Sequence, residues 1–149
     1  MPLAAATTRL APAPGWQRGY VFSADNVRLC WREHHAPGVP DGRPTLLCLA
    51  GLTRNGSDFA HLGDSLGAAW RIIAPDLRGR GESGFARDSL SYVPLTYLRD
   101  LALVLETAGV GRFVVVGSSL GGLLALRLTT GYRSRMAGVV LNDIGPELE

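Results

Sequence analysis

Residues 112–128 read RFVVVGSSLGGLLALRL: a valine-rich run, two serines among three glycines, then a leucine-rich run. The β-branched run reads as a strand and the leucine run as a helix, with only residues 117–121 between them. Gly117-Ser118-Ser119-Leu120-Gly121 fits G-x-S-x-G, and only Ser119 occupies its central position. A chain that reverses from strand to helix within a residue or two holds that serine in a strained backbone conformation. Gly117 and Gly121 are expected to be small because a side chain at either would strike the neighbouring strand or helix. Leu120, Leu123, Leu124, Leu126 and Leu128 make the helix apolar nearly all round, which predicts burial. Its N-terminus, aimed at an exposed hydroxyl, would favour developing negative charge. The plainer reading is a Gly-Ser turn in which Ser118 or Ser119 merely caps a helix.

Outward from this stretch, strands and helices alternate. GYVFSADNVRLCWREHH gives two extended runs around a turn at Ala24–Asn26, a hairpin. TLLCLAG, residues 45–51, is a continuous apolar run of the kind buried on both faces of a parallel sheet. NGSDFAHLGDSLGAAW offers Ser57 or Asn55 as a cap, with Phe59, Leu62 and Leu66 at helical spacing. WRIIAPD is a further strand. Pro94 opens a helix with apolar positions Leu95, Leu98, Ala102 and Leu105, closed by Gly109. MAGVVLND is a last strand. The pattern predicts an α/β fold: a mostly parallel sheet with helices on both faces and an antiparallel N-terminal hairpin. Residues 1–15 read as a flexible arm, and 16–149 as one domain. In such sheets function gathers at the carboxyl ends of the strands, so the loops at Gly51, Asp76, Ser119 and Asp143 should open on one side. The loop in LCLAGLTRNG can supply a backbone N–H from Leu52, facing that of Leu120 across the site. Two such donors form an oxyanion hole; the plainer reading is an ordinary strand-to-helix turn.

Composition narrows the chemistry. Hydrophobic residues make up 46% and charged residues 19%, which is globular. The net charge of +2 announces neither a nucleic-acid nor a membrane partner. All fifteen basic residues are arginine, which removes Schiff-base lysine chemistry and the P-loop lysine together. Cys30 and Cys48 lie in apolar strand-like runs and read as buried thiols in a reducing compartment. The N-terminus lacks the apolar centre of a secretion signal, and the chain reads as cytoplasmic. GRGESG, residues 79–84, matches G-x-G-x-x-G after a strand, but PDLR separates it from RIIA and no helix starts directly after it. It therefore reads as a loop in which Asp76 and Arg78 make local polar contacts, not as a dinucleotide cradle. His34, His35 and His61 lack ligand spacing and read as packing or surface residues, so neither metal nor cofactor is expected.

LAGLTRNGSDF, RIIAPDLRGRGES, VVVGSSLGGLLAL and GVVLNDIGPE resemble four successive blocks of the α/β-hydrolase fold family, in order, from about residue 20 onward, so residues 16–149 look like the N-terminal half of such a domain, through its sixth strand, a truncated form of the fold. The family's oxyanion block usually reads His-Gly, whereas Ala50 stands in the histidine's place. The resemblance implies a serine hydrolase with Ser119 as nucleophile, Leu52 and Leu120 as oxyanion donors, and a small-molecule ester, or a related acyl or carbon–carbon bond, as substrate. Family order runs nucleophile, acid, histidine. The resemblance thus implies a histidine beyond Glu149 and an acid that usually follows the strand after GVVLND. Some members place the acid at the end of this strand, which makes Asp143 a candidate, its plainer reading being a loop carboxylate that caps or orients the elbow. Without that base Ser119 is a poor nucleophile, and the chain alone is expected to be nearly inactive. Ending at this point would also leave Val139, Val140 and Leu141 on an unpaired apolar edge that invites self-association. The competing readings are a catalytically silent homologue serving as a binding module, and a fragment without an independent role.

Overall fold

In the computed structural model, which describes residues 15–142, the chain opens with β1 (Trp16–Phe22) and β2 (Arg28–His34), paired antiparallel from Trp16–His34 to Phe22–Arg28. The hairpin forms at the expected turn. Asn26 takes φ 62°, a left-handed conformation its short polar side chain tolerates, and the Ser23 N–H donates to the Val27 carbonyl at 3.0 Å. Gly19 is required by packing, because a Cβ there would lie inside the Trp31 indole across the hairpin.

The remaining strands are β3 (Thr45–Leu49), β4 (Ile72–Pro75), β5 (Phe113–Ser118) and β6 (Met136–Asn142). Their spatial order is β1-β2-β4-β3-β5-β6. β3 runs parallel to β4 and β5, β5 runs parallel to β6, and β2 meets β4 antiparallel. This is the mostly parallel sheet with an antiparallel hairpin that the alternation implied. Every residue of β3 and β4 is buried, as continuous apolar runs require. Successive residues point to opposite faces, so β3 feeds two cores. Leu47 and Leu49 join Ile73, Phe113 and Val115 against α2 (Pro94–Thr107) and α3 (Leu120–Gly131). Leu46, Cys48 and Ala50 join Ile72, Ala74 and Phe59 on the other face, beside α1 (Ala60–Leu66).

Of three local expectations, those for α2 and α3 need correction, while the cap at Asn55 stands. The buried stripe of α2 is Tyr97, Asp100, Leu101, Val104 and Leu105; of the expected positions only Leu105 is fully buried, and Leu95 is 59% exposed. The phase differs because Asp100, paired with Arg78, sits on the covered face, where a count of apolar residues alone does not look. The segment before α1 starts as a 3₁₀ turn over Gly56–Phe59, capped by Asn55, whose side chain accepts from the Ser57 N–H at 3.0 Å. Helix α3 is covered on one side only: Gly121, Gly122, Leu124, Ala125 and Leu128 are buried, while Leu126 is 42% exposed. At the far edge of the described sheet, β6 leaves Val140 51% exposed. The arm proposed for residues 1–15, apart from Gly15, and Asp143 lie outside the described residues.

Candidate active site

β5 ends at Ser118 and α3 begins at Leu120, so Ser119 alone makes the reversal, with φ 50° and ψ −117°. A non-glycine residue held there stores about 1–3 kcal/mol and stays only where its surroundings over-determine it. Those surroundings are on hand. The Ser119 carbonyl accepts from the N–H groups of Gly122 (2.9 Å) and Leu123 (3.1 Å), and its N–H donates to the Asn142 carbonyl at 3.4 Å. A Cβ on Gly117 would sit 2.5 Å from the Gly121 carbonyl oxygen and 2.7 Å from the Gly122 Cα. A Cβ on Gly121 would run into the Leu49 carbonyl and lie 2.8 Å from that of Ala50. The two glycines therefore let α3 lie directly on β3 and β5, and the serine is forced outward. Ser119 is exposed, and its hydroxyl has no hydrogen-bond partner among the described residues.

The loop after β3 touches this bend: a Cβ on Gly51 would lie 3.6 Å from the Ser119 Cβ and 3.9 Å from the Ser118 carbonyl oxygen. Arg54 N–H donates to the Gly51 carbonyl at 3.1 Å, closing a turn whose central residues are Leu52 and Thr53. Neither Leu52, 58% exposed, nor Leu120 donates its N–H to any acceptor among the described residues. For Leu120 this follows from its place in the first turn of a helix, where N–H groups lack intrahelical partners. Arg54 faces Asp58 in a two-pronged pair at 2.7 and 2.8 Å, so its charge is matched within its own loop. Ala50 is buried beneath the turn.

Asp76, at the end of β4, ties the neighbouring loops together. Its Oδ1 accepts from the Gly56 N–H at 2.7 Å, its Oδ2 from the Glu82 N–H at 2.8 Å, and its carbonyl from the Ser83 hydroxyl at 2.6 Å. The glycines of GRGESG serve this arrangement. Gly79 (φ 76°) closes against the Tyr92 ring and Gly81 (φ 53°) against the Asp76 carboxylate, so the concavity a phosphate would need is filled. Arg78 is buried and all five of its N–H groups are used, on Asp100 (2.6 and 2.8 Å), Asp25 (2.7 and 3.1 Å) and Ser91 (3.0 Å). These bonds push the Arg78 guanidinium ionisation still higher and hold the Asp25 carboxyl down at about 2. Asp25 and Asp100 carry no motif, and nothing in the sequence marks them as partners of Arg78. A groove of about 400 Å³ opens beside this cluster, lined by Asp25, Ser91, Arg99 and Asp100 among others, away from Ser119.

The histidines do not meet the serine. His34 packs edge-on against Trp16 with ring centroids 5.3 Å apart, His35 lines a groove with Arg71 and Arg112, and His61 is exposed on α1. Cys30 and Cys48 are buried and unpaired. Burial pushes the Cys48 thiol up to about 12, and raises Cys30 as well. Among the described residues no group of His, Cys, Asp and Glu is placed to hold a metal ion, and no helix is long and apolar enough to cross a membrane.

Comparison with known proteins places this geometry in company. The alpha/beta hydrolase fold family model matches residues 44–149. The chain is 34% identical over 130 residues to the 3-hydroxybutyrate-oligomer hydrolase of Cupriavidus necator, covering 87% of this chain and 44% of that protein. It is 28% identical over 118 residues to epoxide hydrolase 4 of Mus musculus, covering 78% of this chain and 33% of that protein. A crystal structure of an alpha/beta hydrolase from Novosphingobium aromaticivorans superimposes with a TM-score of 0.82 at 44% identity, over 89% of this chain and 46% of that one. The chain thus spans less than half the length of each of these relatives.

Proposed function

The chain belongs to the α/β-hydrolase fold family, and from that premise we propose that it carries the nucleophile and the oxyanion donors of a serine hydrolase acting on a small-molecule ester. The observation that carries the reading is the exposed Ser119 at φ 50°, on the bend between β5 and α3 and against the Gly51 turn. In the proposed reaction Ser119 Oγ attacks the acyl carbon while its proton passes to a base. The carbonyl oxygen becomes an alkoxide that accepts from the N–H groups of Leu52 and Leu120, with the positive end of the α3 dipole behind it. Collapse expels the alcohol, which takes up the proton, and water then cleaves the acyl-serine ester by the same route.

The serine also chooses between the chemistries that the relatives' names span. A serine oxygen that opened an epoxide would end as an ether, which water activated in the same site would not cleave. Attack on an acyl carbon ends as an ester, which it would. An ester substrate accordingly suits Ser119, and a relative named 3-hydroxybutyrate-oligomer hydrolase sits more easily with that reading than one named epoxide hydrolase. The two unpaired, buried thiols suit a reducing compartment and support a cytoplasmic location.

No histidine follows Ser119 within the 149 residues. Loss of the histidine from a comparable triad costs on the order of 10⁶ in turnover, while binding and an oxyanion hole retain roughly 10³–10⁴-fold over water. The 149-residue chain is therefore expected to react hardly at all with a fluorophosphonate probe, and its slow hydrolysis of p-nitrophenyl acetate should disappear in Ser119→Ala. Rapid, Ser119-dependent labelling would overturn the expected inactivity. Hydrolysis untouched by Ser119→Ala would overturn the role of the serine. Reading the DNA past codon 149 separates the enzyme from a silent homologue: an in-frame continuation with a late histidine restores the former.

A further inference from the structure

The loop after β4 reaches back to the Gly51 turn through one side chain. Arg80 Nε donates to the Leu52 carbonyl at 2.8 Å, and Nη1 of the same residue donates to the Arg78 carbonyl at 3.1 Å. The guanidinium lies over the Tyr97 ring, 5.0 Å from its centroid. Its backbone is equally constrained, since Arg80 sits between Gly79 (φ 76°) and Gly81 (φ 53°), and its N–H donates to the Leu77 carbonyl at 3.0 Å. The Gly-Arg-Gly of GRGESG is thus the device that delivers this arginine.

What Arg80 holds is the exposed tip of the turn. Leu52, Thr53 and Arg54 are all exposed, so packing does not fix them. Two peptide planes meet at the Leu52 Cα. The first, Gly51–Leu52, is oriented by the bond from Arg54 N–H to the Gly51 carbonyl; the second, Leu52–Thr53, by Arg80. In a trans peptide the Leu52 N–H points opposite to the Gly51 carbonyl, so anchoring both planes fixes where that N–H points. Farther along the same loop, Gly56 N–H is anchored on Asp76. The loop is therefore pinned at two points, one at the first of the exposed residues and one beyond the last.

We propose that Arg80 is a positioning residue for the oxyanion site: it holds the Leu52 N–H in place by binding the Leu52 carbonyl. The inference rests on the reading of Leu52 and Leu120 as donors to an oxyanion at Ser119. Arg80→Met keeps the apolar stem and removes every donor; Arg80→Lys restores one donor. The probe is phenylboronic acid, titrated into the ¹⁵N-labelled chain with the Leu52 and Leu120 amide resonances followed. Ser119 Oγ adds to boron in a reversible step that a missing general base slows without shifting its equilibrium, its proton goes to buffer, and the resulting tetrahedral boronate carries the negative charge an oxyanion would.

In the wild-type protein both amides should shift on titration, and in Ser119→Ala neither should. Arg80→Met should bind about tenfold more weakly, below the full loss of a donor, which costs about 10²–10³. Its Leu52 shift should collapse while the Leu120 shift and the melting temperature stay as in wild type, and Arg80→Lys should recover part of the Leu52 shift. A general packing role for Arg80 would move Tm and both amides together and would overturn the proposal. Wild-type affinity and a wild-type Leu52 shift in Arg80→Met, with Ser119→Ala still silent, would also overturn it and leave the function standing. A wild-type protein in which neither amide responds would remove the function first, and this inference with it.

Discussion

Ser119→Gly is expected to make the protein more stable, and Ser118→Gly, one residue earlier, less stable. At φ 50° and ψ −117° a Cβ is strained by about 1–3 kcal/mol, which glycine does not suffer. Glycine loses more backbone entropy on folding, about 0.5–1 kcal/mol relative to alanine. Among the described residues the Ser119 hydroxyl has no partner, so its removal forfeits no hydrogen bond within them. The balance favours Ser119→Gly by about 1 kcal/mol. Ser118 lies within β5, opposite Asn142, without a positive φ, so its glycine variant bears the entropy cost of about 0.5–1 kcal/mol with no relief. Ser119→Ala keeps the Cβ and the strain, and should fall within about 0.5 kcal/mol of wild type.

Urea denaturation followed by tryptophan fluorescence, at a concentration low enough to keep the chain monomeric, separates the three variants. With a slope of about 1–3 kcal/mol/M, a gain of about 1 kcal/mol moves the midpoint upward by about 0.3–1 M. In a thermal scan the same gain is worth about 2–4 °C. Two results would refute the reasoning. A destabilised Ser119→Gly would mean that position 119 is unstrained, and an Ser119→Ala as stabilised as Ser119→Gly would place the effect in the hydroxyl rather than the backbone.

Gly121→Ala drives a methyl into the Leu49 carbonyl of β3, backbone that cannot swing aside, and should cost about 2–3 kcal/mol, the upper part of the overpacking range. Gly131→Ala on the same helix, with nothing near the new Cβ, should gain about 0.4–1 kcal/mol; equal effects at the two sites would contradict the close approach at the elbow. The Asp25 carboxyl is depressed from 3.8 to about 2, chiefly by hydrogen bonds from Arg78, so its contribution is complete above about pH 4 and lost as pH falls toward 2. Because Asp25 is half exposed, Asp25→Asn should lower the urea midpoint by under about 1 kcal/mol equivalent at neutral pH, and that gap should close on acidification; a gap that persists at the acid end would sink the assignment. Cys48, with its thiol pushed up to about 12, should ignore a disulfide reagent at neutral pH until the protein is unfolded, and prompt reaction of the native chain would contradict its burial. The exposed β6 edge should make the 149-residue chain sediment above monomer mass, with Val140→Lys reducing the effect; a sharp monomer boundary for the wild type would count against it.

Much of this architecture could be read before any coordinates, for a physical reason. Strands buried on both faces are apolar nearly throughout, which made LLCL and IIAP stand out, and a one-residue reversal needs small neighbours, which made Gly117 and Gly121 stand out. What stayed hidden depends on pairing across the chain. The Arg78–Asp100 and Arg78–Asp25 contacts join residues 22 and 53 positions apart, and they put a carboxylate on the covered side of α2. Arg80 and Leu52 are 28 positions apart, and neither carries a periodic signal. The exposure of Leu126 is hidden for another reason: a helix with leucines spread around its circumference looks the same in sequence whether one face is covered or two.

The absence of lysine bears on the same point. Carbonyls left over at loop and helix ends are most readily satisfied by a planar fork with several fixed donors, which arginine has and lysine lacks. Arg71 donates to the carbonyls of Ala108 and Gly109 while pairing with Glu33, and Arg135 donates to those of Val110 and Gly111, so the end of α2 and the turn after it are closed by two cations suited to a helix C-terminus. Arg80 serves the loop after β3 at the opposite ends of the strands, the loop whose Gly51 lies against Ser119. A strained residue persists only where its neighbours cannot yield. Around Ser119 those neighbours are the first turn of α3, the ends of β3, β5 and β6, and the exposed Gly51 turn, of which only the Gly51 turn has little apolar packing of its own. That turn is tied by Arg80 at the Leu52 carbonyl and its loop by Asp76 at the Gly56 N–H, and so the strain at residue 119 and the tied loop beside it are two parts of one arrangement.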